Sequence, residues 1–204
     1  MNEPTGLFSV VKGNYMKELE ERILSEGRVL PGGVLKVDGF LNHMIDTTLL
    51  HDMAVEISRL FEGCGVNKIL TVEASGIALA GMAGFVMRCP MVFAKKSRTS
   101  NISADVYTAR VQSFTHGNTN TLMVSKSYLS DSDKVLIIDD FLATGAALIG
   151  LRDICCQAGA EVVGAAISIE KVFQGGGDRL RSEGLRIESL ARIASMTDTG
   201  LEFC

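Results

Sequence analysis

Several features that would classify a chain at once are missing from these 204 residues. No apolar run approaches the length of a membrane span, and no charged-then-apolar leader opens the chain, so a cytoplasmic protein is expected. The five cysteines (Cys64, Cys89, Cys155, Cys156 and Cys204) are odd in number and contain no CxxC pair. That argues against a disulfide framework and against a zinc site, and reduced thiols suit a cytoplasm. A formal net charge of −4 removes any general electrostatic reason to expect nucleic acid or a membrane surface as partner. Internal repeats and low-complexity segments are absent as well. What is present is ordinary globular composition, 47% hydrophobic and 22% charged. The length suits one domain with a full core and room for a small accessory lobe.

The stretch with most chemistry runs from Val135 to Ala147, VLIIDDFLATGAA. Four apolar residues lead into two adjacent carboxylates, Asp139 and Asp140. A short spacer then reaches Ala143, Thr144 and Gly145, and a small-residue run begins at Ala146 and Ala147. This pattern predicts a buried parallel strand, a loop over 141–146 and a helix over 147–158. A loop at the carboxyl end of a parallel strand is where open α/β sheets bind ligands. Backbone N–H groups at Thr144 and Gly145 can meet an anion on the helix N-terminus. Taken separately, DD ends a strand and Thr caps a helix. Taken together, adjacent carboxylates that repel each other call for something positive or hydroxyl-bearing. An anion cradle beside two carboxylates describes a ligand with a phosphate and a diol, such as a ribose 5-phosphate.

The rest of the chain alternates strands and helices, which predicts an α/β fold with a mainly parallel sheet. Residues 1–15 carry no clear period and read as an extension or an expression remnant, leaving 16–204 as one domain. Met16 to Gly27 reads as a helix with Leu19, Ile23 and Leu24 on one face and Gly27 as its cap. Short strands flank Pro31, Gly32 and Gly33, and a helix follows from about Thr48 to Phe61. The strand Val66 to Val72 runs into Glu73, Ala74, Ser75 and Gly76 before the helix 77–87, a second strand–loop–helix cradle. Met91 to Lys95 is a strand, followed by a polar stretch carrying Lys95, Lys96 and Arg98. Such a basic loop is either a solvated surface or a lid that closes over a polyphosphate. A hairpin joins 106–113 to 120–125 through a turn at His116, read as surface. The strand from Glu161 ends at Glu170 and Lys171, ahead of Phe173 and a flexible Gly175–Gly177. There a lysine can donate to a ring carbonyl and an aromatic can stack, or the pair is simply a surface lysine with a core phenylalanine. Leu185 to Ala191 supplies a last strand.

The apolar strand, acidic pair, spacer and Thr-Gly of residues 135–147 resemble the signature of type I phosphoribosyltransferases. The similarity continues through LKVDGFLNHMID (35–46), VEASGIA (72–78), IEKVFQ (169–174) and ESLARI (188–193). It implies that fold, with a hood from about residues 28–46 and residues after 171. It also implies transfer of a phosphoribosyl group from phosphoribosyl pyrophosphate (PRPP) to a purine, with Mg²⁺ and a homodimer. By the resemblance Ala143 to Ala147 bind the 5-phosphate, Glu73 to Gly76 grip pyrophosphate, and the Lys95–Arg98 loop closes over it. Asp139 and Asp140 hold the ribose hydroxyls, and Mg²⁺ is held through substrate and water. Leu35, Asn42 and Lys171 contact the base, with Phe173 beside them. Xanthine is the implied acceptor, giving XMP and pyrophosphate. Guanine, hypoxanthine, adenine and a non-catalytic sensor remain alternatives. Lysine presents only donors, which suits an oxo group over an exocyclic amine, while an amide such as Asn42 can both donate and accept. Ala143 departs from hypoxanthine-guanine enzymes, which carry an acidic residue there. Ala-Thr-Gly is shared with adenine enzymes, so the base is decided by the hood and Lys171.

Overall fold

The computed structural model describes residues 16–96, 105–112, 119–197 and 200–204. Residues 1–15, Arg98 and His116 lie outside them. In chain order the elements are α1 (Lys17–Glu26), β1 (Arg28–Leu30), β2 (Val34–Lys36), α2 (Thr47–Leu60), β3 (Lys68–Val72), α3 (Gly76–Met87) and β4 (Met91–Ala94). There follow β5 (Val106–Gln112), β6 (Thr119–Ser125), β7 (Lys134–Leu142), α4 (Ala146–Ala158) and β8 (Glu161–Lys171). The chain ends with α5 (Gly176–Ser182), β9 (Ile187–Thr197) and β10 (Gly200–Phe203). A wide helical turn of π type covers Asp38–Asn42.

Six strands form the central sheet in the order β10-β9-β8-β7-β3-β4. All neighbours are parallel except β10, which returns antiparallel along β9. Strand β7 is central because its residues are apolar on both faces, as a doubly covered strand requires. Leu136 and Ile138 pack with α1, α2 and α3, whereas Val135 and Ile137 pack with α4 and the β5–β6 hairpin. Asp46 caps α2 by accepting from the N–H groups of Thr48 and Leu49. At the opposite end of the sheet from the carboxyl edge, Lys68 and Asp133 form a partly buried ion pair at 2.8 Å. No helix among the described residues is long and apolar enough to cross a membrane.

Four expectations need correction. Leu24 does not join Leu19 and Ile23 in the core but is 61% exposed, because one helical step too many carries it past the buried stripe. Gly175–Gly177 is not a flexible link. Gly175, at φ 72°, turns the chain, and Gly176 and Gly177 are buried in the first turn of α5. The last strand runs to Thr197 rather than Ala191, and a further strand, β10, pairs with it. The strand expected from Val66 begins at Lys68.

Candidate active site

The carboxyl ends of β3, β7 and β8 share one edge of the sheet, and β7 brings its two carboxylates there. Alternation along the strand turns Asp139 and Asp140 to opposite faces. Both are nearly enclosed, at 6% and 9% exposure. Asp139 Oδ1 accepts the Asp140 N–H at 3.0 Å. Burial, followed by the charge of Asp140, holds the Asp139 carboxyl well above the usual carboxylate range, with Lys96 opposing weakly. On the other face, Asn42 Nδ2 donates to Asp140 Oδ2 at 3.2 Å across 98 residues of chain.

Beyond β7 the loop makes a turn that glycine suits: Gly145 has φ 83° and precedes the first turn of α4 without a side-chain cap. The first amides of α4 therefore lack intrahelical partners and face outward. Two carbonyls of the loop are drawn the other way, onto α5. Gly176 N–H donates to the Ala143 carbonyl at 3.2 Å, and Arg179 Nη2 donates to the Thr144 carbonyl at 3.0 Å. In a trans peptide the N–H points opposite its C=O, so the Thr144 and Gly145 N–H groups turn away from α5. A cavity of about 190 Å³ is lined by residues 141–148 together with Lys96, Asn120, Asp139 and Ile167. Positive ends of backbone dipoles make such a cavity an anion site.

The second cradle adjoins the first. A Cβ at Gly76 would strike the Thr71 hydroxyl and come within 3.3 Å of Asp139 Oδ1, so the start of α3 sits directly against the acid pair. Ala74 beside it is exposed and Ser75 is half-buried. Glu73 uses its carboxylate to accept the Lys96 N–H at 2.6 Å, tying down the start of the basic loop. The Lys95 backbone pairs with that of Met123 at 2.9 Å in both directions, while the Lys96 side chain borders the cavity.

Lys171 leaves the end of β8 half-buried. Its Nζ donates to the Gly33 carbonyl in the β1–β2 turn at 2.8 Å and lies 5.4 Å from the Phe141 ring centre. Burial lowers its pKa. Leu35 is buried in the core under the hairpin, and Phe173 is 44% exposed in the turn after β8. The structure thus brings Asn42, Asp139, Asp140, Ala143–Ala147, Gly76, Lys96 and Lys171 to one edge, with Leu35 buried in β2 and Phe173 half exposed in the turn that follows Lys171.

Two groups escaped the sequence reasoning. Phe141 and Asn120 border the cavity, and only the position of Phe141 inside the motif spacer could have signalled it. Glu170, read only as a strand end, is fully buried and takes both terminal nitrogens of Arg181 at 2.7 Å, Ser189 Oγ at 2.6 Å and Arg192 Nε at 3.2 Å. Burial opposes its ionisation, yet these donors prevail and hold its pKa below the usual value.

Residues 40–186 match the family described as the phosphoribosyl transferase domain. A xanthine phosphoribosyltransferase of Finegoldia magna is 53% identical over 188 residues, covering 92% of this chain and 99% of the relative. One from Lactiplantibacillus plantarum is 50% identical, covering 92% and 96%. Among solved structures, adenine phosphoribosyl transferase from Trypanosoma brucei, in complex with AMP, pyrophosphate and ribose-5-phosphate, superposes with a TM-score of 0.75. It is 16% identical and the overlap covers 90% of this chain and 81% of that one, a likeness of fold alone. On the length of the family match and the identity to curated relatives, this chain belongs to the phosphoribosyltransferase family.

Proposed function

We infer that the chain is a xanthine phosphoribosyltransferase, moving the 5-phosphoribosyl group from PRPP to xanthine to give XMP and pyrophosphate in purine salvage. The observation that carries this reading is the similarity at 50–53% identity, over 92% of this chain, to relatives of that name. The lysine at the end of β8 supports an oxopurine acceptor, and the absence of an acidic side chain at Ala143 argues against the hypoxanthine-guanine branch.

The 5-phosphate would sit on the Thr144–Ala147 amides at the start of α4, and the pyrophosphate on Ala74–Gly76 beside Lys96. Lys95 and Arg98 would complete the closing loop. The ribose hydroxyls would hydrogen-bond to Asp139 and Asp140, whose ionised forms also lie near the positive charge that develops at the anomeric carbon. Asn42 and Lys171 would exchange their internal partners, Asp140 and the Gly33 carbonyl, for the polar edge of the base. Leu35 backs the hairpin that forms this wall, and Phe173 borders its rim. Holding a ring nitrogen in line with the breaking bond accounts for much of the rate.

Asp139 and Asp140 offer oxygen donors alone, which fit a hard cation, but two carboxylates fill few of the six positions Mg²⁺ requires. Oxygens of PRPP and water would supply the others. When bound, the ion neutralises charge on the departing pyrophosphate. We also propose a homodimer in the cytoplasm, a compartment compatible with five free thiols.

Pyrophosphate release from PRPP, followed in parallel with xanthine, guanine, hypoxanthine and adenine, tests the assignment. Xanthine is expected to give the highest kcat/KM. A preference for adenine, or no release with any base, would overturn it.

A further inference from the structure

A carboxylate enclosed as fully as that of Glu170 is seldom required for stability alone. Replacing a buried ion pair with apolar groups is often neutral or stabilising, whereas removing one partner is costly. What the Glu170 cluster does provide is fixed geometry, because Arg181 approaches it with both terminal nitrogens in a two-pronged contact. The contacts span three elements: β8 itself, α5 through Arg181, and β9 through Ser189 and Arg192.

Two routes lead from this cluster to the site. The first runs through α5. Gly177 lies so close that a Cβ would strike the Glu170 carboxylate, and one at Gly176 would strike the backbone of Ala143 and Thr144. The same helix donates to the Ala143 and Thr144 carbonyls through Gly176 N–H and Arg179. The second route is the peptide bond to Lys171. Successive side chains of a strand leave on opposite faces, so fixing Glu170 fixes the direction in which Lys171 leaves.

We propose that Glu170 is a positioning residue for transfer, holding the phosphate loop and the base-side lysine in one register through α5 and the end of β8 without touching either substrate. The proposal rests on the functional reading above for its kinetic consequences, though not for its structural one.

Hydrogen–deuterium exchange of the free, full-length protein tests the structural part, comparing wild type, E170Q and R179A. In E170Q, amides in 141–148 and 171–175 are expected to exchange roughly tenfold faster, with 73–87 unchanged. R179A is expected to release 141–148 alone. If E170Q folds poorly, R181K keeps the charge but loses the fork and gives the same pattern at smaller size. In kinetics, E170Q raises KM for both PRPP and base by roughly tenfold, the scale expected from slight misplacement of groups. R179A raises KM for PRPP only, and adds little to it when combined with E170Q, since both act through α5. Exchange that is unchanged, or faster uniformly along the chain, overturns the proposal, as does a folded E170Q with wild-type KM for both substrates. A wild-type protein inactive with every base would overturn the functional reading, while the exchange comparison would still decide the role of Glu170.

Discussion

Gly145→Ala tests the proposed phosphate cradle with a magnitude that can be worked out in advance. At φ 83° an alanine enters the left-handed region, which costs about 1–2 kcal/mol. Its Cβ would also come within 2.8 Å of Leu180 Cδ1, so the buried Leu180 side chain, α5 or the loop must shift. Overpacking of that kind costs about 1–3 kcal/mol. The predicted loss is therefore about 2–5 kcal/mol, or about 4–20 °C in Tm for a chain of this size. Gly63→Ala is the control. It shares the left-handed backbone at φ 73°, meets nothing within 4 Å, and lies in the loop before β3. It is expected to lose only about 1–2 kcal/mol, with unchanged kinetics. Thermal unfolding of both variants isolates the contact with α5, and PRPP saturation curves show whether that contact matters to the site. KM for PRPP is expected to rise roughly tenfold or more in Gly145→Ala alone. Equal Tm and equal KM in the two variants would mean that α5 does not support the loop.

The acid pair and the lysine give two further predictions. Asp139→Asn removes a carboxylate that burial and the charge of Asp140 hold above its usual range. An acid with a raised folded pKa weakens the fold wherever it is ionised. That penalty is absent below the unfolded value of about 3.9, grows as pH rises towards the folded pKa and is constant above it. The variant should thus be more stable than wild type at neutral pH, by about 3–5 °C in Tm per pKa unit of the shift, with the gain vanishing towards about pH 4. Turnover should fall roughly 100-fold or more; a variant no more stable than wild type at pH 7 would refute the electrostatic reading. Lys171→Met removes a charged donor from the proposed base pocket, and kcat/KM for xanthine should drop by about 10–150-fold at unchanged KM for PRPP. An equal loss for both substrates would put the lysine elsewhere in the reaction.

The parts of the site that sequence reasoning found are those that depend on local order. An apolar run followed by two carboxylates and Thr-Gly can be read along the chain, because strand, loop and helix follow one another there. The order β8–β7–β3 then places Asp139, Gly76 and Lys171 on one edge with no further information. The parts that were missed depend on contacts between distant residues. Glu170 looks like any polar residue ending a strand until Arg181, Ser189 and Arg192 fold over it from two later elements. Gly175–Gly177 suggests freedom by composition, yet Gly176 and Gly177 are glycines because other atoms occupy the places of their Cβ groups. Leu24 fits the helical stripe by spacing and misses the core by angle alone.

The buried acids Asp139 and Glu170 receive opposite treatment, and the contrast separates framework from working site. Glu170 is matched by Ser189, Arg181 and Arg192, its pKa is held low, and its geometry is complete within the chain. Asp139 is as secluded but has one backbone N–H, a neighbouring carboxylate and a weakly opposing lysine. If both acids served the fold, selection for stability would have supplied Asp139 with a cation or replaced it with an amide, a change that costs no volume. Leaving it poorly compensated lowers stability, a cost that the proposed function would recover when hydroxyls, a metal ion or a developing positive charge arrives. On the proposed function, binding of the sugar would partly relieve the burial and charge penalty carried by Asp139, and the proposed role of Glu170 is to keep the surrounding loops from relaxing to relieve it first.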